Sequence, residues 1–276
     1  MNDSFISKQG FRELVANAFH IYFRNAPTLI AICAAVLLPG YLITDTVGYF
    51  APDDAKAVQA FDFALRAFLQ VVAELFLVGE ISQAAFGQPT SVGRGLTRAS
   101  ARGVGRLIGT NLLALAVIAL VVLVIGSAGV LIALAEHPVW GVFVIFLACI
   151  AFVLLWVRYI FVSQVVILQR VYWVSALRAS ASLVTGSFWK TLWYGTVFTL
   201  VTALLSAAIV AIPLSPWSED FAGYWLVESI IKNAVALLLF VPISAAFWTL
   251  FYYSLRIESD RLTTADIVEI QSFGNL

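Results

Sequence analysis

Four polar residues recur at every fourth position along one apolar stretch of this chain: Asp62, Arg66, Gln70 and Glu74. On a helix they form a polar stripe down one face. A charge at the centre of a bilayer costs about 2.5–3.5 kcal/mol, so charges kept there mark ion or proton pathways or internal pairs. With a rise of ~1.5 Å per residue, and Asp62 at the outer end, Arg66 lies about 6 Å down, Gln70 about 12 Å and Glu74 about 18 Å, near the middle. Glu80, about 27 Å down, reaches the inner interface. On other stretches, Lys232 lies about 10 Å below Trp225 and Arg158 about 27 Å below Trp140. Two pairings are expected from these depths: Glu74 with Lys232 or Arg66, and Glu80 with Arg158. A carboxylate such as Glu74 is a handle for a proton or a cation. The same pairs can equally fix helix register, and Arg158 can snorkel to the surface.

A second set of charges is regular in another way. Arg94, Arg98, Arg102 and Arg106 stand four apart and share one helix face. Beside headgroups each contributes about 1 kcal/mol of attraction to anionic lipid. They serve equally as topogenic charge.

The pattern for chemistry on a substrate is missing. His20 and His137 are the two histidines, and they fall on opposite membrane faces, so no metal site is expected. There is no phosphate loop, nucleophile elbow, zinc-protease pattern or CxxC. Gly93, Gly95, Gly103 and Gly105 punctuate an arginine-rich stretch rather than cradle a phosphate. No enzyme activity and no cofactor are therefore expected. A net charge of +0 argues against nucleic acid as a partner.

The elements that position these charges follow from hydropathy. With 62% hydrophobic and 12% charged residues, the chain lies outside the range of soluble domains. A spanning helix needs about 20 apolar residues. Six stretches qualify, at roughly 27–50, 61–86, 107–134, 139–168, 189–212 and 226–255. Cys33 and Cys149 lie inside them and read as small core hydrophobes. Lys8, Arg12, Arg24, the arginine row, Arg170, Arg178, Lys190, Arg256 and Arg261 all fall on one side. The alternate loops carry Asp53, Asp54, Glu136, Glu219 and Asp220. The positive-inside bias then puts both termini in the cytoplasm, as expected of a multi-pass protein of the bacterial inner membrane. Trp140, Trp217 and Trp225 mark the outer ends and Trp173 and Trp189 the inner ones. No cleavable signal peptide is expected.

Segment 11–25 places Phe11, Leu14, Val15, Ala18, Phe19 and Tyr22 at helical spacing opposite Arg12, Asn17, Arg24 and Asn25, which predicts an interfacial helix. Segments 92–106 and 173–188 repeat the idea and share Arg-Ala-Ser-Ala at 98–101 and 178–181. The expected fold is all-α. It is a six-helix bundle of three transmembrane hairpins, each preceded by an interfacial amphipathic helix, with repeats at 10–89, 90–170 and 171–258. Residues 259–276 form a short tail to this single membrane domain. Pro39-Gly40 and Pro242 interrupt spans, and Pro213 and Pro216 close one, which predicts kinks.

Three stretches carry a family resemblance. They are FHIYFRNAPTLIAICAAVLLPGYLI, WVRYIFVSQVVILQRVYWVSALRASASLVTGSFWKTL and PISAAFWTLFYYSLRIESD. The chain resembles, over about residues 10–260, the bacterial six-span membrane domain of glycerophosphoryl diester phosphodiesterases and the YciC-like inner-membrane proteins. The family's usual Glu-Gly after the fourth span is Gln169-Arg170 here, and the Asp of its Tyr-Asp-Leu-Arg ending is Ser254. No stretch here can supply the phosphodiesterases' soluble catalytic barrel, so the resemblance implies a membrane module without that activity. The expectation is a non-enzymatic module that contacts anionic lipid or a partner membrane protein as scaffold or regulator. The alternative is a transporter or channel for a small solute or ion, built on the charges of the second and sixth spans.

Overall fold

The computed structural model of the protein describes residues 7–50, 55–92, 101–135, 138–211 and 224–259. All regular structure among them is helical: α1 Phe11–Arg24, α2 Ala26–Phe50, α3 Ala55–Ala85, α4 Ala101–Leu134, α5 Pro138–Tyr159, α6 Val162–Gln169, α7 Trp173–Val184, α8 Phe188–Ala211 and α9 Tyr224–Glu258. Five segments are long and apolar enough to cross a membrane, which fits a multi-pass membrane protein: Ala26–Thr44, Gly103–Leu134, Pro138–Gln169, Phe188–Ile209 and Ala234–Glu258. The expected second span is helical as α3 but is not among the five. Asp62, Arg66, Glu74 and Glu80 interrupt it and make it less apolar than α2 or α4.

Two compact units divide the chain, Met1–Val104 with Tyr194–Leu276, and Gly105–Trp193. In the first, α1, α2, α3 and α9 pack on one another. Of the apolar window of α9, 50% is buried, against 11% for those of α4 and α5. The stacked Phe198 and Phe247 rings, 3.9 Å apart, and Phe251 beside Tyr194 fill the interior around α9. By contrast, α4 and α5 turn Leu115, Leu123, Leu131, Val139 and Phe146 outward, a surface that hydrocarbon solvates well and water does not. Cys149 is exposed on that surface of α5, whereas Cys33 is buried as expected.

Local chemistry explains the breaks. Helix α1 starts at Gly10, whose N–H is taken by Glu13 Oε2 at 3.0 Å, and buries Leu14, Ala18, Ile21 and Tyr22. Asn25 closes α1 by donating its backbone N–H and its side-chain amide to the Ile21 carbonyl, at 3.1 and 3.0 Å. Gly87, at φ +73°, ends α3 in a Schellman turn, with N–H of Gln88 on the carbonyl of Gln83 and N–H of Gly87 on that of Ala84. The expected span 139–168 is split at 160–161 into α5 and α6. The Ser180 hydroxyl donates to the carbonyl of Arg158 at 2.8 Å, satisfying an acceptor at that break. The expected separate helix at 92–106 is corrected for its described part, because Ala101–Arg106 is already the first turn and a half of α4.

Helix α9 runs through Pro242 and α2 through Pro39 without ending. Pro242 has no N–H for the carbonyl four residues back, that of Leu238. Tyr22 of α1 places its hydroxyl 3.4 Å from that same carbonyl. A substitute donor from the first helix thus serves the acceptor that the proline leaves behind.

Candidate functional site

The charges are brought together differently from the expectation. Arg66 Nε donates to Asp62, one turn earlier, and Nη2 donates to Thr44 Oγ1 on α2 at 3.1 Å. Its guanidinium also lies 4.3 Å over the ring of Tyr41. These contacts stitch α3 to α2, and they use the planar fork and the stacking that an arginine offers. Nearby, Gly40 lets α2 close on Leu69, whose Cδ1 a Cβ at position 40 would overlap.

Lys232 is held by Glu228 of its own helix at 2.7 Å, rather than by Glu74. Both side chains are largely shielded, so the ion pair travels with α9 as a locally neutral unit. The stripe on α3 also winds. Steps of four residues on a 3.6-residue helix rotate by about 40° each, so Glu74 faces about 120° away from Asp62. Gln70 is exposed and Glu74 half-buried.

Glu80 is 1% exposed and accepts the backbone N–H of Ser91 at 3.0 Å, which the Schellman turn at Gly87 folds back onto it. Arg158 belongs to the other compact unit, exposed near the end of α5. Around Glu80 the structure gathers polar groups that sequence reading missed. Ser82 and Tyr253 share a hydrogen bond of 2.7 Å inside the unit. The N–H of Gln9, just before α1, donates to Ser254 Oγ at 3.1 Å. Arg256 is nearly buried, with its guanidinium 6.0 Å from the Tyr252 ring, and Lys8 faces Glu258 at 4.0 Å. This cluster joins the start of α1 and the ends of α3 and α9. A polar atom buried among helices is costly unless bonded, and these contacts fix register. The departure from the family pattern at Ser254 was the one sequence signal near it. Tyr22 lies on the same α1, and its hydroxyl is pushed up from the usual phenol range by burial and, less, by Cys33.

Of the arginine row, Arg94 and Arg98 lie outside the described residues, and only the backbone of Arg102 is described, in the first turn of α4. Arg106 is exposed and stacks 4.8 Å over Tyr172. Asp53, Asp54, Glu136, His137, Pro213, Pro216, Trp217, Glu219, Asp220 and Arg261 also lie outside the described residues, as do 260–276. No protein-family model matches the chain, and neither a curated protein nor a solved structure matches it.

Proposed function

We propose that the chain is a non-enzymatic membrane module of the bacterial inner membrane that contacts anionic lipid or a partner membrane protein as scaffold or regulator. In this reading α3 crosses as a sixth span, the spans pair as three hairpins, and both termini are cytoplasmic. Kinship with the six-span membrane domain of glycerophosphoryl diester phosphodiesterases and the YciC-like proteins belongs to the same reading. One observation carries it: the cations Arg66 and Lys232, which a translocation path needs free, are each engaged locally by Asp62 and Glu228. The arginine row is then the principal surface charge for a lipid or partner. Replacing Arg94, Arg98, Arg102 and Arg106 by Gln is expected to strip co-purifying anionic lipid or partner from vesicle-extracted protein, measured by native mass spectrometry. Unchanged retention would refute the reading.

A second reading, a transporter or channel for a small solute or ion, is favoured by one feature, the half-buried Glu74 midway along α3. It requires that Glu74→Gln abolish flux in proteoliposomes, whereas the module reading expects that variant to behave as the parent.

A further inference from the structure

Between α4 and α7 lies a cleft of about 290 Å³, closed at one end by Tyr159 of α5. Leu113 and Val117 form the α4 wall, and Val174, Leu177 and Arg178 the α7 wall. Both sets follow helical spacing, so each helix gives the cleft one face. All these residues belong to one compact unit.

The walls are held in place. Trp173, at φ +58°, begins α7 in a backbone conformation that costs about 1–2 kcal/mol for a residue with a Cβ. Its N–H is caught by Thr110 Oγ1 at 3.1 Å, and its ring lies against Gly109, where a Cβ would come within 2.7 Å of it. The Ser180 contact to the Arg158 carbonyl ties α7 to α5 from the other side.

Two polar groups border this apolar trough. Arg178 is exposed, and neither its guanidinium nor the Tyr159 hydroxyl has a hydrogen bond or ion pair among the described residues. An unpaired guanidinium at the edge of an apolar cleft, on a helix bordered by hydrocarbon-facing Leu112 and Leu115, is complementary to a molecule with an anionic head and an aliphatic body. A free phosphate would leave the walls unfilled, and a lipid without net charge would leave Arg178 unmatched. The volume is at the lower edge of ligand pockets, about 300 Å³, which suits a length of one chain rather than a whole lipid.

We propose that this cleft binds an anionic phospholipid, with a length of one acyl chain along Leu113, Val117 and Leu177 and the phosphate on Arg178, Tyr159 adding a second donor. The site deepens the anionic-lipid reading and rests on it, but uses residues outside the arginine row.

The test uses the full chain in detergent, titrated with phosphatidylglycerol or phosphatidylcholine and read by native mass spectrometry. Phosphatidylglycerol adducts are expected to survive at energies that remove phosphatidylcholine. Arg178→Gln should weaken them about fivefold, and Ala181→Trp, which fills the cleft, should remove them. Arg94, Arg98 and Arg102 changed together to Gln should leave this adduct in place. If that triple variant loses the lipid while Arg178→Gln keeps it, the cleft proposal falls and the module reading stands. If the unmodified chain retains no phosphatidylglycerol, both fall. On the unmodified chain, phosphatidylglycerol carrying an acyl-chain diazirine should label peptides spanning 113–117 and 174–178. Labels confined elsewhere, or crosslinks between copies through these residues in place of lipid, overturn the proposal.

Discussion

The Tyr22–Leu238 contact makes a demanding test, because its reason for existing is a residue on another helix. Pro242 deprives the Leu238 carbonyl of its helical donor, and the Tyr22 hydroxyl stands 3.4 Å away. A typical net hydrogen bond contributes about 0.5–1.5 kcal/mol, and this one is long, so Tyr22→Phe is expected to cost about 0.5–1 kcal/mol. In a Pro242→Ala background the new N–H at 242 bonds the Leu238 carbonyl within the helix, and the hydroxyl has nothing left to satisfy. There Tyr22→Phe should cost nothing beyond the additivity error of about 0.3–0.5 kcal/mol. The assay is reversible unfolding of the full chain in mixed micelles by SDS titration, followed by far-ultraviolet circular dichroism, over the four members of the cycle. Pro242→Ala changes helix propensity by itself, but that effect cancels in the coupling. Equal losses in the two backgrounds would refute the argument, since the hydroxyl would then be serving something other than the proline's orphan. No loss in the parent would refute it as well.

Three further outcomes follow from the packing. Arg66→Lys keeps the charge but loses the Thr44 hydrogen bond and the stacking on Tyr41, so it should cost about 1 kcal/mol in the same unfolding assay; parent-like stability would mean that charge alone matters there. A Cβ at Gly141 would meet backbone atoms of Ala133 at 2.8 Å, which no rotamer change relieves, so Gly141→Ala should destabilise by about 1–3 kcal/mol, while Gly126→Ala on α4, which meets nothing within 4 Å, should not. The third outcome concerns pH: burial raises the Tyr22 hydroxyl above its usual value of 10.0, so the folded state resists its ionisation. The stability this contributes is full below the unfolded value and is lost as pH rises through the folded one. Unfolding followed above pH ~10 should therefore steepen in the parent relative to Tyr22→Phe, and identical slopes would count against a buried phenol.

Patterns within one helix were legible from sequence, and those that join helices were not. The periodicities of 11–24 and 173–184 announced α1 and α7 because a partly buried helix must repeat its apolar residues every three or four positions. The Lys232–Glu228 pair was equally available, since four residues separate them, but depth bookkeeping across helices directed Lys232 to Glu74 instead. The rise per residue gives a level in the membrane and no azimuth. Two charges at one level can face opposite ways, and a nearer partner on the same helix costs less side-chain entropy to reach. The break at 160–161 had no glycine or proline to announce it, and its Arg158 carbonyl is met by Ser180, a tertiary contact. Ser82 with Tyr253 and Gln9 with Ser254 are separated by 171 and 245 positions, and a serine in an apolar helix carries no mark of its partner. The prolines show both halves of the matter. Pro242 identifies in the sequence which carbonyl must be orphaned, that of Leu238, whereas the fold alone identifies Tyr22 as the donor. A membrane helix therefore states its needs locally and has them met at a distance, so residues on short interfacial helices such as α1 can matter to spans they do not belong to.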